Sequence, residues 1–355
     1  MKLTRRKRKR IAKILTSIPL NKDTCKFAWN LAKRQFIKGK GNKALPYPTC
    51  IMLELTNKCN LHCTMCPREH RFGKALSYGN MDTALAKKVI DETYPYLQSI
   101  GLTGLGETLF APNLVEIARY IKAKKKSIVI FISTNANIPD FIEKITPVLP
   151  FVDTVQVSID GTGAKYDEIR VGGHFEPFEA NVSALVPLAE EHGVDIMFNM
   201  VVSKDNYLEV PRVVEFAATH GIKYVNFNYL NLASIPQVSE EYYRFFDSEP
   251  FKEMRSRLTG LTKKHPEIEI TGLEDFFNDF SGQCGLITNH FQVNYDGEVP
   301  PCCAKPFSKE LSFGNVKDRK LIDVINSERA RKFRRDWYGK TPDRFCRGCH
   351  ALGHQ

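Results

Sequence analysis

The region from residue 51 to about 230 alternates short apolar runs with longer amphipathic stretches. Six of the apolar runs have the length and the β-branched content of strands. These strands are predicted at 51–56, 99–103, 128–133, 154–158, 196–202 and 224–229. Helical patterns lie between them, for example at 81–93, 114–124, 178–192 and 208–220. Such strand–helix units build a parallel sheet, and right-handed crossovers curl it into a full or partial barrel.

Polar residues follow five of these strands directly. In the order of the strands, they are 56–66, 104–107, Ser133 with Asn135, Ser158 with Asp160, and Ser203. Parallel α/β proteins bind their ligands at the carboxyl ends of the strands. The ordered set of polar motifs therefore predicts a ligand site at that edge of the sheet.

The chain before the first strand predicts one helix. Residues 24–37 place Phe27, Ala28, Leu31 and Ala32 near one face, and a helix of this kind would cover the core. Cys25 and Cys50 belong to no cysteine pattern, and we interpret both as packed thiols.

The chain changes character again from residue 281 onward. Asp296-Gly297 between extended runs predicts a hairpin that delivers Cys302 at the end of a returning strand. Residues 314–316 and 321–337 then predict a turn and a helix. This arrangement would bring the last two cysteines back beside the hairpin.

The chain has 355 residues, of which 43% are hydrophobic, enough for one large globular domain and an appendage. No stretch has the apolar length of a membrane span, and residues 1–20 lack a small-residue cleavage site. The ten cysteines concentrate in metal-like clusters, which fits a reducing compartment better than disulfides do. We therefore predict a cytoplasmic protein.

The formal net charge of +11 owes much to residues 2–10 and to the basic residues of 33–43. Such a tail is attracted to nucleic acid, anionic lipid or an acidic partner. No aromatic residues interleave the first ten positions, and no binding motif accompanies them. A solvated arm is therefore favoured over contact with nucleic acid or an anionic membrane.

Three cysteines in a C-x3-C-x2-C run, Cys59, Cys63 and Cys66, follow the first predicted strand. Soft thiolates brought together on one short loop bind a soft metal centre. Three ligands are one fewer than a closed zinc site or a fully ligated iron–sulfur cluster takes, which leaves an open coordination position. The alternatives are a zinc loop completed by His62 or His70, or buried thiols.

This run and its context resemble the radical S-adenosylmethionine (radical SAM) enzymes. The resemblance implies a partial (β/α)6 barrel over 46–235, in which the three thiolates hold a [4Fe–4S] cluster and the fourth iron chelates S-adenosylmethionine. It leaves a basic N-terminal extension over 1–45 and a connecting helical region over 236–280. The tyrosine- and phenylalanine-rich stretch 231–279 would close the substrate cavity or pack between domains.

The resemblance also implies residues that contact the nucleotide. They are Met65, Gly104, Gly106, Glu107, Ser133, Asn135, Ser158, Asp160 and Arg170. The 104–107 segment is a variant of the family's glycine motif with Leu105 inserted, and Glu107 would pair with the methionine ammonium. Arg170 would clamp the methionine carboxylate through its planar fork.

Each of these contacts has a structural alternative. The two glycines would shape a strand-to-helix turn, and Arg170 would be a solvated helix charge. Asp160 would cap the segment that follows it. Met65 stands where the family often has an aromatic residue near the adenine, and its alternative is core packing.

The segment 281–355 resembles the SPASM/twitch type of auxiliary iron–sulfur domain. The resemblance implies a second [4Fe–4S] cluster held by Cys284, Cys302, Cys346 and Cys349, and full ligation favours an electron-transfer or structural role. A structural zinc site is the main alternative, and His350 and His354 are further candidate ligands. Cys303 is a spare thiol, which is an alternative ligand, a hydrogen-atom donor or a packed residue.

The family implies reductive cleavage of S-adenosylmethionine and abstraction of a hydrogen atom from a substrate C–H bond. We expect oxidation or epimerisation of a small metabolite such as an aminosugar, because the short N-terminus shows no leader-binding domain. Radical modification of a peptide or protein, a methyl or methylthio transferase, and a zinc-stabilised nucleic-acid-binding protein are the alternatives. The expected partners are a small-molecule or peptide substrate and an electron donor such as flavodoxin or ferredoxin.

Overall fold

The computed structural model describes residues 22–37, 43–70, 73–230, 240–272, 286–303 and 311–339, with Cys284, Thr341, Asp343 and Cys346. Its strands are β1 (Cys50–Leu53), β2 (Ser99–Leu102), β3 (Val129–Thr134), β4 (Thr154–Ser158), β5 (Asp195–Val202), β6 (Tyr224–Tyr229), β7 (Glu269–Thr271) and β8 (His290–Val293). The first six correspond to the six predicted strands.

Helices alternate with the strands. They are α1 (Lys22–Ile37), α2 (Thr83–Thr93), α3 (Leu114–Lys124), α4 (Phe141–Ile145), α5 (Ala164–Ile169), α6 (Phe175–Glu191), α7 (Glu209–Thr219), α8 (Glu249–Lys264), α9 (Leu321–Ile325) and α10 (Glu328–Tyr338). Short 3-10 helices occupy Pro67–Glu69, Gly73–Ala75, Tyr94–Tyr96, Thr108–Phe110, Leu149–Phe151 and Glu240–Asp247.

The eight strands form one sheet in the order β7-β6-β5-β4-β3-β2-β1-β8. The first six strands follow chain order, as strand–helix units with parallel crossovers require. β7 and β8 are the two ends of this order, so the sheet is open within the described residues. The predicted α/β fold is confirmed, and the structure adds two strands at the ends of the sheet: β7, which we did not predict, and β8, which we expected in a hairpin instead.

Burial alternates along the central strands. In β4, Val155 and Val157 are fully buried, whereas Gln156 and Ser158 are half-buried. Helix α6 packs against the neighbouring strand β5, and its Val182 and Leu185 are fully buried. Burying one such side chain contributes roughly 1.5–3 kcal/mol. The helices thus cover one face of this part of the sheet and leave the other face for ligands.

The chain divides into two compact units that are not contiguous in sequence. The first unit holds the described residues up to Lys58, those of 76–131 and those from Cys284 to Cys346. The second unit holds the described residues of 59–75 and 132–272. The division into four regions that we predicted from the sequence stays a prediction.

Helix α1 belongs to the first unit and is turned differently from our prediction. Phe27 and Leu31 are half-buried, whereas Ala28 and Ala32 are exposed, so the predicted face is only partly turned inward. The polar side chain of Asn30 is the buried one, because its amide donates to the Tyr47 carbonyl oxygen. The hydrogen bond of Asn30, rather than an apolar stripe, therefore determines which face of α1 is turned toward the first unit.

The two unpatterned cysteines differ in exposure. Cys50 is buried in β1, as we expected of a packed thiol. Cys25 is exposed on α1, so our interpretation of it as a packed thiol was wrong. Its position on the helix face opposite Asn30 explains the exposure.

The predicted turn at Asp296-Gly297 is present. The Gly297 amide donates to the Asn294 carbonyl over 2.8 Å. Gly297 adopts a φ of +86°, which glycine reaches without steric cost. The pairing differs from our hairpin, because β8 pairs in parallel with β1 and the returning Glu298 bridges to Asn315. The strand before the turn therefore pairs with β1 and not with the strand that returns from the turn.

The helix predicted over 321–337 is broken into α9 and α10. Asn326 lies at the break, and its amide oxygen accepts a hydrogen bond of 2.7 Å from the Leu45 backbone. Ser327 then caps α10 by accepting from the Ala330 amide. The hydrogen bond between Leu45 and Asn326 therefore accompanies the end of α9, and the Ser327 cap begins α10.

Candidate cofactor and metal sites

The three-cysteine loop of the second unit is held by backbone hydrogen bonds to the end of α5. The His62 amide donates to the Val171 carbonyl over 2.8 Å, and the Thr64 amide donates to the Ile169 carbonyl over 2.9 Å. Gly173, two residues after Val171, also lies close to the loop. A Cβ at this position would lie 3.3 Å from a Leu61 methyl group. The loop that carries the cysteines is thus fixed along its middle by the main chain.

Hydrogen-bond donors surround the first thiol. The Cys59 sulfur lies 3.5 Å from the Leu61 amide nitrogen and 3.8 Å from the Asn135 side-chain nitrogen. Asn135 also donates to the Asn60 side-chain oxygen over 3.0 Å. Both donors lie within the distance at which a sulfur accepts a hydrogen bond. Asn135, which we predicted as a nucleotide contact, therefore supports the cysteine loop.

Burial perturbs the other two thiols. It raises the pKa of Cys66 to about 12. It also raises the pKa of Cys63, although the nearby Arg170 guanidinium acts in the opposite direction. Metal ligation requires thiolates, so metal binding at Cys63 and Cys66 must release protons.

Arg170 and Asp160 form a buried ion pair. Their side chains are 8% and 3% exposed, and Arg170 Nη2 lies 2.6 Å from Asp160 Oδ2. Burial is the largest influence on the pKa of Arg170 and acts to lower it, but the interactions with Asp160, Cys63 and Tyr166 together more than offset burial, and the net shift is upward. Arg170 is therefore not a solvated helix charge. Its Nε is buried and makes no hydrogen bond within the described residues.

Asp160 also fixes the neighbouring strand. Its Oδ1 accepts a 2.8 Å hydrogen bond from the Val201 amide, so both carboxylate oxygens are engaged. Asn206, which our sequence reasoning missed, donates to the Asp160 and Val201 carbonyls over 2.9 Å each. Asp160 thus ties together the ends of β4 and β5 rather than acting as a local helix cap.

The donor set of this loop fits an iron–sulfur centre, although no group of three or more His, Cys, Asp or Glu side chains is assembled for a metal ion within the described residues. Three half-buried thiols lie on one loop, and an orphaned cationic nitrogen lies nearby on Arg170. Soft thiolates and a buried positive charge suit an anionic cluster. His62 and His70 contact Glu69 and the Thr64 carbonyl instead.

The glycine motif lies in the first unit and is tightly enclosed. A Cβ on Gly104 would lie 2.3–2.6 Å from Glu54 side-chain atoms, and a Cβ on Gly106 would lie 2.5 Å from the Thr56 carbonyl oxygen. Both positions therefore require glycine. This supports the turn-shaping role that we considered, and it does not test contact with the nucleotide.

Glu54 is a buried carboxylate that sequence reasoning left without a role. Its two oxygens accept hydrogen bonds from the amides of Leu105, over 2.8 Å, and Tyr295, over 3.2 Å. It therefore joins the glycine motif to the segment after β8. The signal in the sequence was a carboxylate placed directly after an apolar strand and five residues before Cys59.

Glu107 is 2% exposed and ends the glycine motif. Its amide donates to the Lys58 carbonyl over 2.8 Å, and its Oε1 accepts from the Leu109 amide over 3.2 Å. The side chain thus caps the Thr108–Phe110 turn. A role in binding the methionine ammonium stays a prediction for Glu107.

The C-terminal cysteines lie in the first unit where they are described. Cys302 and Cys346 are each 5% exposed, whereas Cys284 and Cys303 are half-buried. Cys349, His350 and His354 lie outside the described residues. The four-cysteine ligand set and the role of Cys303 therefore stay predictions.

A buried arginine lies in the same segment and was missed from the sequence. Arg334 is fully buried, and its Nη1 donates to the Ile325 carbonyl over 2.7 Å. Its Nε and Nη2 are buried without a hydrogen-bond partner in the described structure. Burial lowers the pKa of Arg334 to about 10. An unpaired buried cation fits an anionic cluster in this segment.

The open face of the sheet in the second unit carries a row of neutral polar side chains. Asn199 Oδ1 accepts hydrogen bonds of 2.8 Å from the side-chain nitrogens of both Asn226 and Asn228. Asn226 Oδ1 accepts from Thr271 over 2.8 Å. We call Asn199, Asn226, Asn228 and Thr271 the amide row. Its signal in the sequence was asparagine at alternate positions of predicted strands.

The remaining predicted contacts are placed as follows. Ser133 is half-buried on β3 and donates to Gln156 Oε1 over 3.0 Å, while Ser158 is half-buried at the end of β4. Met65 is half-buried on the cysteine loop. Their contacts with a nucleotide stay predictions, as does closure of the cavity by 231–279, of which 240–272 is described.

Comparison with known families gives two matches along the chain. The family model described as the Radical SAM superfamily matches residues 53–217. The SPASM model, described as an iron-sulfur cluster-binding domain, matches residues 284–350. The two matches occupy the predicted barrel and the predicted auxiliary domain, in the predicted order.

Two curated relatives span most of the chain. A tungsten-containing aldehyde ferredoxin oxidoreductase cofactor-modifying protein of Pyrococcus furiosus is 28% identical over 308 residues, which are 80% of this chain and 82% of that protein. A PqqA peptide cyclase of Methylobacterium nodulans is 26% identical over 329 residues, which are 86% of this chain and 79% of the relative.

A solved structure supports the fold. SuiB of Streptococcus suis bound to S-adenosylmethionine superposes with a TM-score of 0.62 at 15% identity, covering 92% of this chain and 73% of SuiB. Neither family match is to a zinc-stabilised nucleic-acid-binding protein, so that alternative is set aside. The chain belongs to the radical SAM superfamily and carries a C-terminal iron–sulfur cluster-binding SPASM domain.

Proposed function

We propose that the protein cleaves S-adenosylmethionine reductively and abstracts a hydrogen atom from a C–H bond of a polar substrate. Its cofactors are [4Fe–4S] clusters and S-adenosylmethionine. When bound, they supply the one-electron cleavage and the hydrogen-abstracting group. The observation that carries the proposal is the cysteine loop, which the main chain of α5 fixes and donors to Cys59 surround.

The chain's own residues have distinct tasks in this proposal. Cys59, Cys63 and Cys66 would hold the first cluster, and the Asp160–Arg170 pair keeps a positive charge buried beside Cys63. A buried cation near thiolates stabilises their negative charge. The proposed role of Arg170 is therefore to donate a hydrogen bond through its Nε to an anionic group in this unit, either cluster or carboxylate.

The amide row supports a substrate class. Its members are neutral, and their hydrogen bonds to one another hold the amide planes in place. Side-chain amides bind hydroxyl and amide groups well, but they do not neutralise a carboxylate or an ammonium. We therefore propose a substrate that presents hydroxyl or amide groups near the reacting carbon, and the hydroxyl groups of an aminosugar-like metabolite meet this requirement.

A peptide is the second candidate substrate. One relative is named as a peptide cyclase, and peptide bonds present the amide groups that the row suits. In both cases we propose oxidation or epimerisation. Cys284, Cys302, Cys346 and Cys349 would hold an auxiliary cluster that exchanges one electron with the substrate, and Cys303 would donate hydrogen in an epimerisation. The proposed electron donor is a flavodoxin or ferredoxin.

The first experiment measures cleavage of the cofactor. The reconstituted protein is mixed anaerobically with S-adenosylmethionine and dithionite, and 5′-deoxyadenosine is quantified by mass spectrometry. We expect product with the wild-type protein and none with Cys59→Ala. Equal product from both proteins would overturn the assignment of this loop.

The substrate class is tested by the amide row. Asn226→Leu should leave substrate-independent 5′-deoxyadenosine formation unchanged and should weaken the stimulation by a hydroxylated or peptidic substrate about tenfold, since one to two hydrogen bonds are lost. Transfer of deuterium from labelled aminosugars or peptides into 5′-deoxyadenosine identifies which class reacts. Exposed Asn228→Ala provides a milder variant of the same row. Unchanged stimulation in both variants would contradict the proposed class.

A further inference from the structure

Helix α1 is fixed to the first unit by one polar face. Asp23 accepts a hydrogen bond of 3.1 Å from the Tyr94 hydroxyl. Arg34 donates to the Tyr47 carbonyl over 3.2 Å and to the Thr288 carbonyl over 3.0 Å. Together with Asn30, these residues lie on one side of the helix. Their hydrogen bonds set which side of α1 faces outward.

The outward face of α1 is an apolar stripe. Cys25, Trp29, Ala32 and Phe36 follow one another at spacings of four, three and four residues, which places them in one line along a helix. All four are exposed, Trp29 by 63% and Phe36 by 79%. Single exposed apolar residues are common on protein surfaces, but an aligned pair of large aromatic residues indicates an interaction surface.

Positive charge borders this stripe. Lys22, Lys26 and Lys33 are exposed along one edge of it, and the Lys33 ammonium lies 5.2 Å from the centre of the Trp29 ring. Of the 51 Lys and Arg residues, 15 fall in the first 43 positions, together with one of the 40 acidic residues. This stretch therefore carries a formal charge of +14, and the rest of the chain carries −3.

We propose that the apolar stripe of α1 and the basic residues around it dock the protein on an anionic lipid surface. Trp and Phe side chains insert at the boundary between headgroups and acyl chains, and flanking lysines contact lipid phosphates while their stems cover apolar surface. Charge near the surface then adds to the apolar contribution. The docking is peripheral, since no described helix is both long and apolar enough to cross a membrane.

The stripe distinguishes lipid from nucleic acid. Binding to a phosphate backbone rests on lysine and arginine, and it gains little from two aromatic residues aligned with a cysteine and an alanine. An apolar strip bordered by lysines is instead the pattern of a helix that lies in a membrane interface. The inference is independent of the proposed chemistry, because it uses no residue of either cysteine site.

Co-flotation of the reconstituted full-length protein with vesicles tests the docking. Vesicles of phosphatidylcholine alone are compared with vesicles that also contain phosphatidylglycerol. We expect flotation with the anionic vesicles, weak flotation with the neutral ones, and loss of binding as salt is raised. No flotation with anionic vesicles at low salt would overturn the proposal.

Matched variants separate the two contributions. Trp29→Ala/Phe36→Ala should lower the partition coefficient at least tenfold, because two aromatic side chains no longer leave water. Lys22→Gln/Lys26→Gln/Lys33→Gln should lower it about fivefold per lysine, on anionic vesicles only. The control is Leu208→Ala, which removes an equally exposed apolar residue of the second unit and should change nothing. Equal losses in the control and in the aromatic variant would overturn the proposal.

Tryptophan fluorescence gives a second readout. The chain has two tryptophans, and Trp337 is only 5% exposed, so the difference between wild type and Trp29→Ala reports Trp29. Brominated lipids should quench this difference signal. Quenching confined to Trp337 would contradict the proposal. Equally, binding of RNA or DNA that survives the aromatic substitutions, or a dimer that buries Trp29 in lipid-free solution, would assign the face to another partner.

Discussion

Single buried polar residues hold the loops that carry the predicted cofactor residues. Glu54 joins the glycine motif to the segment after β8 in the first unit, and Asp160 joins two strand ends to Arg170 in the second. Both oxygens of each carboxylate make a hydrogen bond or an ion pair, so no other side chain would keep all of these contacts. Because an unpaired buried charge is costly, substitution of one partner should have large effects.

Asp160→Asn should destabilise the protein by about 3–5 kcal/mol, because it leaves the Arg170 guanidinium buried without its counterion. Chemical denaturation measures the change in the free energy of unfolding. Glu168→Gln on the neighbouring helix is the control, since its ion pair with Lys165 is exposed and contributes at most about 1 kcal/mol. Equal changes in the free energy of unfolding for the two substitutions would show that the buried ion pair stabilises the protein no more than the exposed one.

Gly106→Ala should destabilise the protein by roughly 1–3 kcal/mol or more, since the new Cβ would lie 2.5 Å from the Thr56 carbonyl oxygen. Thermal unfolding of the metal-free chain separates this effect from cofactor binding. Gly260→Ala, in α8 where a Cβ meets nothing within 4 Å, should instead stabilise by up to about 1 kcal/mol. If Gly106→Ala left the stability unchanged, the main chain around residue 106 would have to shift to make room for the new Cβ.

Tyr166 should make the second unit sensitive to alkali. Burial raises the pKa of its hydroxyl to about 12, whereas an unfolded tyrosine titrates near its usual value of about 10. The folded pKa is the higher one, so this stabilisation is complete below about pH 10 and is lost as the pH rises towards 12. Denaturation at several pH values should show that Tyr166→Phe loses less stability than the wild type, by at most about 3 kcal/mol. The loss that remains comes from other tyrosines with a raised pKa, such as Tyr47.

The cysteines were predictable at this scale, but the partners of the charged residues were not. The spacing of Cys59, Cys63 and Cys66 specifies thiols on one loop, whatever the surrounding fold. Arg170 is compatible from the sequence with solvent, a ligand or a carboxylate, and only the folding of α5 against β4 brings Asp160 to it. The partner of a buried charge is set by tertiary structure.

Two of the described α-helices begin at a polar side chain that accepts a hydrogen bond from the first turn, α2 at Asp82 and α10 at Ser327. The predicted helix over 321–337 shows the effect of such a cap, because it is interrupted at Asn326 and Ser327. Ser327 begins α10 through its hydrogen bond to the Ala330 amide. Helix caps of this kind contribute about 1 kcal/mol each.

Ser327→Ala should therefore destabilise the protein by about 1 kcal/mol, by removing the cap of α10. Ser248→Ala is the matched comparison, because Ser248 also precedes a helix but its hydroxyl is buried and makes no hydrogen bond within the described residues. Its loss should be neutral or slightly stabilising. Thermal unfolding of both variants measures the difference. Equal shifts in the midpoint temperature would contradict the capping role of Ser327.

The strands divide into those that sequence could predict and those that it could not. β1 to β6 are signalled by β-branched apolar runs, as expected for strands covered by helices. β7 has three residues and β8 has four, and both are short compared with the windows in which periodicity is informative. Their pairing depends on partners that are distant in the sequence.

The whole molecule should bind two clusters. Anaerobic reconstitution should give about eight iron atoms per chain, since each [4Fe–4S] cluster holds four. Replacing Cys59, Cys63 and Cys66 together by alanine should leave about four, as measured by iron and sulfide analysis. Cys25→Ala removes an exposed thiol outside both sites and should leave the content unchanged. Loss of all iron from the triple variant would indicate that the two sites assemble together.

Family, fold and cofactors follow from local sequence motifs in this molecule, whereas the substrate does not. Cysteine spacing and strand–helix alternation follow general rules, because thiolates that bind one metal centre must lie close together and strand–helix units must cover a sheet. The amide row serves the substrate, and no general spacing rule describes such a row. It became visible only when three strands were placed side by side.

The parallel pairing of β8 with β1 limits how the auxiliary domain can be studied. Residues His290–Val293 come from the C-terminal segment, yet they pair with the strand that leads into the cysteine loop. A protein shortened before residue 284 would lose this strand along with the cluster ligands, and β1 would become an open edge prone to aggregation. Loss of activity after such a truncation would report a damaged sheet, so the contribution of the second cluster has to be measured by replacing individual cysteines.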